Sequence, residues 1–129
     1  MLGNVLIVDD SAVMRKIVAK SIIQAGYVFA RVLEASDGYE ALHQISQNRF
    51  DLVLTDVNMP NMDGLELARI IQEMNLDPPL PVVIITTEGT EDKIHEAEGY
   101  GVRAYLTKPF APAQLKAKLG PILDERQEA

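Results

Sequence analysis

Apolar residues occur along the chain in two alternating patterns: short continuous runs, and longer stretches with helical spacing. The runs cover residues 4–8, 28–33, 50–55, 82–85 and 103–106. The run at 4–8 is continuous, which is typical of a strand buried on both faces, and the run at 82–85 is the richest in β-branched residues, which is typical of a central strand. The pattern therefore predicts five strands, each followed by a stretch that is long enough for a helix.

Apolar residues recur every three or four positions in the stretches that follow the runs, which predicts amphipathic helices there. The first helix is expected to end at Gly26, a residue that often terminates helices. Its inward face is predicted to consist of Met14, Ile17, Val18, Ile22 and Ala25. The second helix opens at Ser36-Asp37-Gly38 and the third is predicted to bury Leu67, Ala68, Ile71 and Met74.

The last two predicted helices differ in their apolar content. Residues 91–98 have only Ile94 and Ala97 as good core contacts, so this helix is expected to be weakly anchored. The final helix starts at Ala111-Pro112, and Gly120-Pro121 is expected to end or kink it. Its predicted inward residues are Leu115, Leu119 and Ile122.

The alternation of strands and helices predicts an α/β fold, in which a parallel sheet is covered by helices on both faces. Five such strand–helix units with helices on both faces form a doubly wound sheet, and right-handed crossovers limit the choice of topologies. A length of 129 residues fits one domain, which we expect over residues 1–124, followed by a polar C-terminal tail at 125–129.

Composition and charge exclude several classes of function. The chain has no cysteine, so it has neither disulfides nor thiolate metal sites. Its net charge is -7 without a basic cluster, which argues against direct nucleic-acid binding. No apolar run approaches the ~20 residues that cross a bilayer, and the N-terminus lacks a signal-peptide pattern, so we expect a cytoplasmic protein without membrane association.

Candidate chemistry lies where the predicted strands end. Ligands of doubly wound sheets bind beyond the carboxyl ends of the strands. The first strand ends at Asp9-Asp10, the third at Asp56, the fourth at Thr86, and the fifth at Lys108. The sequence therefore predicts that three carboxylates, a hydroxyl and an amine converge on one rim of the sheet.

Three neighbouring carboxylates repel one another unless a cation lies between them. Magnesium suits this set, because it prefers oxygen ligands and binds through one or two carboxylates together with waters and phosphate oxygens. No His or Cys set competes, which argues against zinc. A carboxylate beside such an ion can act as a nucleophile toward phosphorus, and Lys108 and the Thr86 hydroxyl can stabilise charge on phosphoryl oxygens.

At this point the residues resemble the receiver domains of two-component response regulators, in particular the single-domain, chemotaxis-type (CheY-like) members. The resemblance runs from Val5 to about Leu119, and it implies a flavodoxin-like sheet of order 2-1-3-4-5. The motifs that carry it are Val8-Asp9-Asp10, Asp56-Val57-Asn58-Met59-Pro60, Met62-Asp63-Gly64, Ile85-Thr86 and Lys108-Pro109-Phe110.

The resemblance implies a role for each residue that matches a family motif. Asp56 matches the aspartate that becomes 4-aspartylphosphate, Asp10 matches a direct magnesium ligand, and Asp9 matches one that acts mainly through water. Asn58 matches the position that offers its backbone carbonyl to the metal. Thr86 matches the switch hydroxyl that moves toward the phosphoryl group.

Two further positions complete what the resemblance implies. Tyr105 matches the aromatic residue that turns inward on activation, and Lys108 matches the family's lysine, whose bond to Pro109 is typically cis. The combination of Asn58 and Glu88 resembles the chemotaxis type, in which these positions tune the lifetime of the phosphoryl group.

The function implied is that of a stand-alone response regulator. Magnesium-dependent phosphoryl transfer from a histidine kinase onto Asp56 would switch binding to a downstream protein, such as a flagellar motor switch or a phosphotransfer protein. Such a protein is not a turnover enzyme: it catalyses only its own phosphorylation and dephosphorylation. Thr86, Tyr105 and the helix at 91–98 are expected to form the two-state element that phosphorylation biases.

The sequence can also be compared with the patterns of other functional classes. A phosphorelay intermediate remains open, as does a magnesium-dependent phosphatase with an aspartyl-phosphate intermediate. The phosphatase usually needs a second acid two residues after the nucleophile, where this chain has Asn58. A flavin carrier needs a polar, uncharged phosphate loop after the first strand, whereas Asp9-Asp10 would repel a phosphate. His43 and His95 are expected to be surface residues outside the rim.

Overall fold

A computed structural model of the chain describes residues 2–128, with side-chain burial given for residues 2–124. Five strands and five helices alternate along it, as the hydrophobic pattern predicts. The strands are β1 Leu2–Val8, β2 Phe29–Ala35, β3 Leu52–Thr55, β4 Val82–Thr86 and β5 Ala104–Thr107. The helices are α1 Ala12–Gln24, α2 Gly38–Gln47, α3 Gly64–Glu73, α4 Glu91–Gly99 and α5 Pro112–Glu128.

The sheet is wholly parallel and its strand order is β2-β1-β3-β4-β5, which confirms the predicted doubly wound fold. In the register, Val8 of β1 lies opposite Thr55 of β3, and Thr86 of β4 lies opposite Thr107 of β5. The residues that follow these strands therefore emerge at one edge of the sheet, as parallel strands require.

Two apolar layers cover the two faces of the sheet. One packs α1 and α5 against alternate residues of the strands, and Leu115 and Leu119 of α5 are fully buried in it. The other packs α2 and α3 against the opposite face around Leu67 and Phe50. A smaller cluster joins α4 to the sheet through Ala97 and Ile84. The central strands β1, β3 and β4 are therefore buried along most of their length, which explains their continuous apolar runs, whereas the edge strand β2 is largely exposed.

Helix ends follow local rules that the sequence carries. Ser11, Asp37, Asp63 and Thr90 each accept a hydrogen bond from the backbone amide three residues later, and so cap the starts of α1 to α4. Gly26 has a φ of 96° just after α1, and its amide donates to the carbonyl oxygen of Ile23. The predicted end of α1 is therefore confirmed at a left-handed residue.

Two apolar residues that were predicted to face the core are exposed instead. Ile17 is 47% exposed, because Ser21 and Val18 occupy the buried side of α1. The Ser21 hydroxyl donates to the Ile17 carbonyl oxygen over 2.8 Å, which satisfies it without water. Met74 is 39% exposed because α3 ends at Glu73, before it completes another inward turn.

Gly120-Pro121 was expected to end or kink the last helix, and the first of these alternatives is wrong, because α5 continues through Pro121 to Glu128. Leu119 precedes the proline, and Ile122 and Leu123 follow it, and all three are buried in the same apolar layer. Burial on both sides of the proline compensates for the hydrogen bond that it cannot donate. For the predicted tail at 125–129, the side chains and all of Ala129 lie outside the described residues.

No helix within residues 2–128 is long and apolar enough to cross a bilayer.

Candidate functional site

The predicted rim residues come together at the carboxyl edge of the sheet. Asp9 follows β1, Asp56 follows β3, Thr86 ends β4, and Lys108 follows β5. Backbone hydrogen bonds lock neighbouring strand ends: the Asp56 amide donates to the Val8 carbonyl oxygen over 2.9 Å, and the Lys108 amide donates to the Thr86 carbonyl oxygen over 2.8 Å. The convergence therefore follows directly from strand order and register.

Three carboxylates form the centre of the rim. Oxygen atoms of Asp9, Asp10 and Asp56 all lie within 4.8 Å of one another. Asp9 is buried, Asp56 is half-buried and Asp10 is exposed, so the cluster opens toward solvent at one side. A hard cation fits such a set, because three close carboxylates repel each other and supply only oxygen ligands.

Lys108 lies within reach of two of the three carboxylates. Its Nζ donates to Asp9 Oδ2 over 2.9 Å and to Asp56 Oδ2 over 3.2 Å. Burial lowers the pKa of Lys108, but the hydrogen bond to Asp9 and the charges of Asp56 and Asp9 outweigh that effect, so its pKa lies above its ordinary value. The amine is therefore a cation at neutral pH.

Asp56 is oriented by its own neighbour in the chain. Its Oδ1 accepts a hydrogen bond from the Val57 amide over 2.7 Å, and its Oδ2 accepts one from Lys108. Its side chain is 13% exposed. One carboxylate oxygen is thus held by the backbone and the other by the lysine, while the group still opens onto the rim.

Hydrogen bonds hold both backbone polar atoms of Asp9 and one oxygen of its carboxylate. Its amide donates to the Ala35 carbonyl oxygen over 3.1 Å, and its Oδ1 accepts from the Ser11 amide over 2.9 Å. Its carbonyl oxygen accepts from Arg15 Nη1 over 2.6 Å. No sequence pattern indicated Arg15, because the contact spans the turn between β1 and α1.

Gly64 approaches the backbone of Asp56 so closely that no side chain fits between them. A Cβ atom at Gly64 would lie 1.9 Å from the Asp56 carbonyl oxygen. The Gly64 amide also donates to the Val57 carbonyl oxygen over 2.8 Å. The sequence indicated only a turn and a helix cap at Met62-Asp63-Gly64. The cap by Asp63 is confirmed, and the close approach is an additional constraint.

The loop at 58–63 is anchored at its far end and exposed at its near end. Asn58 is exposed next to the acidic cluster. Met62 is buried and packs directly against Gly38: a Cβ atom at Gly38 would lie only 2.5 Å from the Met62 sulfur. Asn61, with a φ of 70°, donates from Nδ2 to Asp37 Oδ2 over 3.0 Å. The loop is therefore tied to the start of α2.

Thr86 and Tyr105 are linked through the backbone of Glu88, which sequence reasoning did not foresee in this role. The buried Thr86 Oγ1 accepts a hydrogen bond from the Glu88 amide over 3.4 Å. The Tyr105 hydroxyl donates to the Glu88 carbonyl oxygen. Burial, followed by the negative charges of Glu88 and Asp56, raises the pKa of Tyr105. Both side chains therefore contact the loop that leads into α4.

The cis peptide bond after Lys108 and the exposed positions of the two histidines agree with expectation. The peptide bond between Lys108 and Pro109 is cis, as predicted; the bond between Asp77 and Pro78 is also cis, which was not predicted. His43 and His95 are exposed on α2 and α4 and take no part in the acidic cluster.

Comparison with known proteins agrees with this geometry. The family model for the response regulator receiver domain matches residues 5–120. The chemotaxis protein CheY-3 of Vibrio cholerae is 42% identical over 121 residues, which cover 94% of this chain and 92% of that protein.

Solved structures show the same fold. The structure of CheY4 of Vibrio cholerae aligns with a TM-score of 0.83 and 36% identity, covering 95% of this chain and 100% of that one. A CheX–CheY–BeF3–Mg²⁺ complex of Borrelia burgdorferi aligns with a TM-score of 0.82 and 27% identity, covering 93% of this chain and 88% of that one. From its sequence, fold and rim, the chain belongs to the family of response regulator receiver domains.

Proposed function

We propose that the chain is a phosphorylation switch in which Asp56 accepts a phosphoryl group from a histidine kinase. The observation that carries this proposal is the position of the Asp56 carboxylate. It lies in a cluster of three acids, against a lysine at 3.2 Å, on a rim that remains open to solvent. A carboxylate in such surroundings suits nucleophilic attack on phosphorus better than a structural ion pair.

Magnesium is the cofactor that we propose for the acidic cluster. Asp10 and Asp56 would hold it directly, Asp9 mainly through water, and Asn58 through its backbone carbonyl. When bound, the ion would neutralise phosphoryl oxygens and orient them for transfer. The three carboxylates within 4.8 Å support this, as does the relative from Borrelia burgdorferi that was solved with Mg²⁺ and BeF3.

The chain's own residues would carry the transfer as follows. An Asp56 carboxylate oxygen forms a bond to phosphorus while the bond between phosphorus and the donor imidazole nitrogen breaks, and the imidazole leaves with the bonding electron pair. Lys108 remains protonated and stabilises charge on the phosphoryl oxygens. The Val57 amide keeps Oδ1 in place, so the attacking group does not have to reorient.

A change in the β4–α4 loop would carry the signal onward. If the Thr86 hydroxyl turns toward a new phosphoryl oxygen, the Glu88 amide loses its acceptor. The same residue's carbonyl binds Tyr105, so the tyrosine is released or redirected as well. We propose that α4, with Ala97 as its single fully buried residue, shifts with this loop and changes partner binding.

Chemotaxis is the pathway that we propose, with a histidine kinase as donor and a protein such as a flagellar motor switch or a phosphotransfer protein as target. The names of the relatives from Vibrio cholerae support this assignment. A turnover phosphatase is not favoured, because Asn58 cannot serve as the general acid two residues after Asp56. The protein would catalyse only its own phosphorylation and dephosphorylation.

Intact-mass measurement tests the proposed chemistry. The protein is incubated with acetyl phosphate with and without Mg²⁺, beside Asp56→Asn as the control. We expect a gain of about 80 Da, the mass of one phosphoryl group, in wild type with metal only. A gain that persists in Asp56→Asn would contradict the assignment of the acceptor. Absence of any gain, together with no binding of beryllofluoride, would contradict the proposed phosphorylation altogether.

A further inference from the structure

Arg15 connects a carboxylate of β2 to the backbone of the acidic cluster. Its Nε donates to Glu34 Oε1 over 2.8 Å, and its Nη1 donates to the Asp9 carbonyl oxygen over 2.6 Å. The Arg15 side chain is only 16% exposed and that of Glu34 is 24% exposed. A guanidinium can bind two acceptors at once because its donors form a rigid planar fork.

We propose that Arg15, anchored by Glu34, is a positioning residue for the magnesium site, because it holds the peptide that sets the direction of Asp10. The inference rests on the magnesium-dependent function proposed above. Arg15 itself would not touch the metal: its two acceptors are the Glu34 carboxylate and the Asp9 carbonyl oxygen. Its effect would pass through the backbone.

The backbone on both sides of Asp10 is held by hydrogen bonds. The peptide before it is held at the Asp9 carbonyl oxygen by Arg15. The peptide after it is held at the Ser11 amide by Asp9 Oδ1, over 2.9 Å. Because each peptide unit is planar, holding one of its polar atoms restricts the whole unit. The Cα atom of Asp10 therefore lies between two peptide planes, and a hydrogen bond restrains each of them.

The carboxylate of Asp10 has no direct support of its own. It is exposed, and among the residues whose side chains are described it takes part in no hydrogen bond or ion pair. Its oxygen nevertheless lies within 4.8 Å of those of Asp9 and Asp56. Backbone restraint therefore helps to keep this ligand beside the other two before a cation arrives, and Arg15 supplies one of the two hydrogen bonds that provide it.

Lys16 is a natural control for the charge of Arg15. Its Nζ donates to the other oxygen of Glu34, Oε2, over 2.5 Å, but its side chain is 75% exposed and does not reach Asp9. Removing either cation weakens the ion pair with Glu34. Only removal of Arg15 also frees the Asp9 carbonyl oxygen.

Simple electrostatics and positioning predict opposite signs for the loss of Arg15. A cation bound to the Asp9 carbonyl oxygen opposes the binding of a second cation at the acidic cluster, so its removal should tighten magnesium binding if charge alone matters. Loss of a residue that orients a ligand weakens metal binding, by about 10- to 100-fold in metal sites generally. The direction of the change therefore distinguishes the two explanations.

Calorimetric titration with Mg²⁺ at pH 7 tests the proposal in wild type, Arg15→Gln and Lys16→Gln. We expect about tenfold weaker binding in Arg15→Gln and a change below about twofold in Lys16→Gln. Hydrogen exchange of the Ser11 amide in metal-free protein should also be faster in Arg15→Gln alone. Unchanged or tighter binding in Arg15→Gln would overturn the inference.

A second variant, Arg15→Lys, guards against the possibility that Arg15→Gln fails to fold. A single ammonium keeps the charge but cannot span both acceptors as the guanidinium does. We expect weaker magnesium binding here too, and wild-type affinity would overturn the inference. If wild type itself binds no Mg²⁺, the proposed metal site fails and the inference fails with it. If wild type binds Mg²⁺, and Arg15→Gln and Arg15→Lys bind it with the same affinity as wild type, only the inference fails.

Discussion

The rim has two sides that the fold holds to different degrees. The acidic side comprises β1 with Asp9 and Asp10, β3 and residues 56–73, and the α4 side comprises residues 86–107. On the acidic side, Val57 and Met62 are buried, and Gly64 lies against the backbone of Asp56. On the α4 side, Ala97 is the single fully buried residue of α4, and the loop residues Thr87, Gly89 and Thr90 are exposed.

This difference matches what the two sides would have to do. Phosphoryl transfer needs the reacting groups in a fixed geometry, because small misplacements cost large factors in rate. A signal needs an element with two accessible arrangements, which is easiest where few apolar contacts must break. Lys108 joins the two sides, because its Nζ donates to Asp56 and its amide donates to the Thr86 carbonyl oxygen. Thr86 and Tyr105 both bind the backbone of Glu88, so a change at the acidic side can bias the loop before α4.

Truncation of one apolar residue on each side should show the contrast most strongly. Leu67 of α3 is fully buried behind the acidic side, whereas Ile94 of α4 is only half-buried. We expect Leu67→Ala to lower the free energy of unfolding by about 2–5 kcal/mol. We expect Ile94→Ala to lower it by about 1 kcal/mol, since less apolar area is lost. Urea unfolding measures both, and equal losses would refute the comparison.

Adding one methyl group to a glycine on each side gives a second matched pair. A Cβ at Gly64 would meet backbone at 1.9 Å, whereas a Cβ at Gly89 would meet the Thr107 methyl at 2.4 Å. Backbone cannot move aside, so Gly64→Ala should cost about 2–3 kcal/mol and slow phosphorylation. Thr107 is exposed and can change rotamer, so Gly89→Ala should cost below about 1 kcal/mol. Thermal unfolding and phosphorylation rates check both variants.

The link through Glu88 can be cut without altering packing. Tyr105→Phe removes only the hydroxyl that donates to the Glu88 carbonyl oxygen. We expect a loss of about 1 kcal/mol in the free energy of unfolding. Hydrogen exchange should become faster at residues 87–90 and in α4, but not in β1 or β3. Faster exchange on both sides would mean that the sides are not independent.

Acid should lower the free energy of unfolding by protonating Glu34 of β2, which anchors Arg15 against the Asp9 carbonyl oxygen. This effect should be the smallest of the four. Lys16, through its hydrogen bond, lowers the pKa of Glu34; burial opposes this, and Arg15 adds to the lowering. Because the pKa is lowered in the folded state, ionised Glu34 contributes to the free energy of unfolding at pH values above its unfolded-state pKa. This contribution is lost as pH falls through the folded-state pKa. Because these groups are partly exposed, we expect at most about 1 kcal/mol.

The measurement for this prediction is the difference in unfolding free energy between wild type and Glu34→Gln at several pH values. The difference should be largest near neutral pH and should shrink as pH falls below the ordinary range of a glutamate. A difference that grows toward acid pH would contradict the assigned direction of the pKa shift.

Much of the fold could be predicted from the sequence because its patterns are local. Continuous apolar runs mark the central strands, which are covered on both faces, and Gly26 marks the end of α1, where the backbone adopts a left-handed conformation. The rim could be predicted as well, because the carboxyl ends of parallel strands lie at one edge of the sheet. The residues that follow each predicted strand can be identified in the sequence. Even the weak anchoring of α4 follows from the few apolar residues at 91–98.

Tertiary structure alone decided the contacts between residues that are far apart in the chain or lie on opposite sides of a turn. Ile17 is exposed and Ser21 buried because of how α1 packs, and α5 continues through Pro121 because the sheet buries Ile122 beyond it. Periodicity cannot resolve either, since it reports which residues prefer burial and not where a neighbouring element lies.

The same reason separates the predictable from the unpredictable parts of the site. The sequence by itself determined which acids and which lysine reach the rim, because strand ends bring them there. It did not determine that Arg15 holds the Asp9 carbonyl oxygen or that Gly64 touches the Asp56 backbone. Those contacts depend on distances of a few ångströms between loops, and only the packed elements around the loops set such distances.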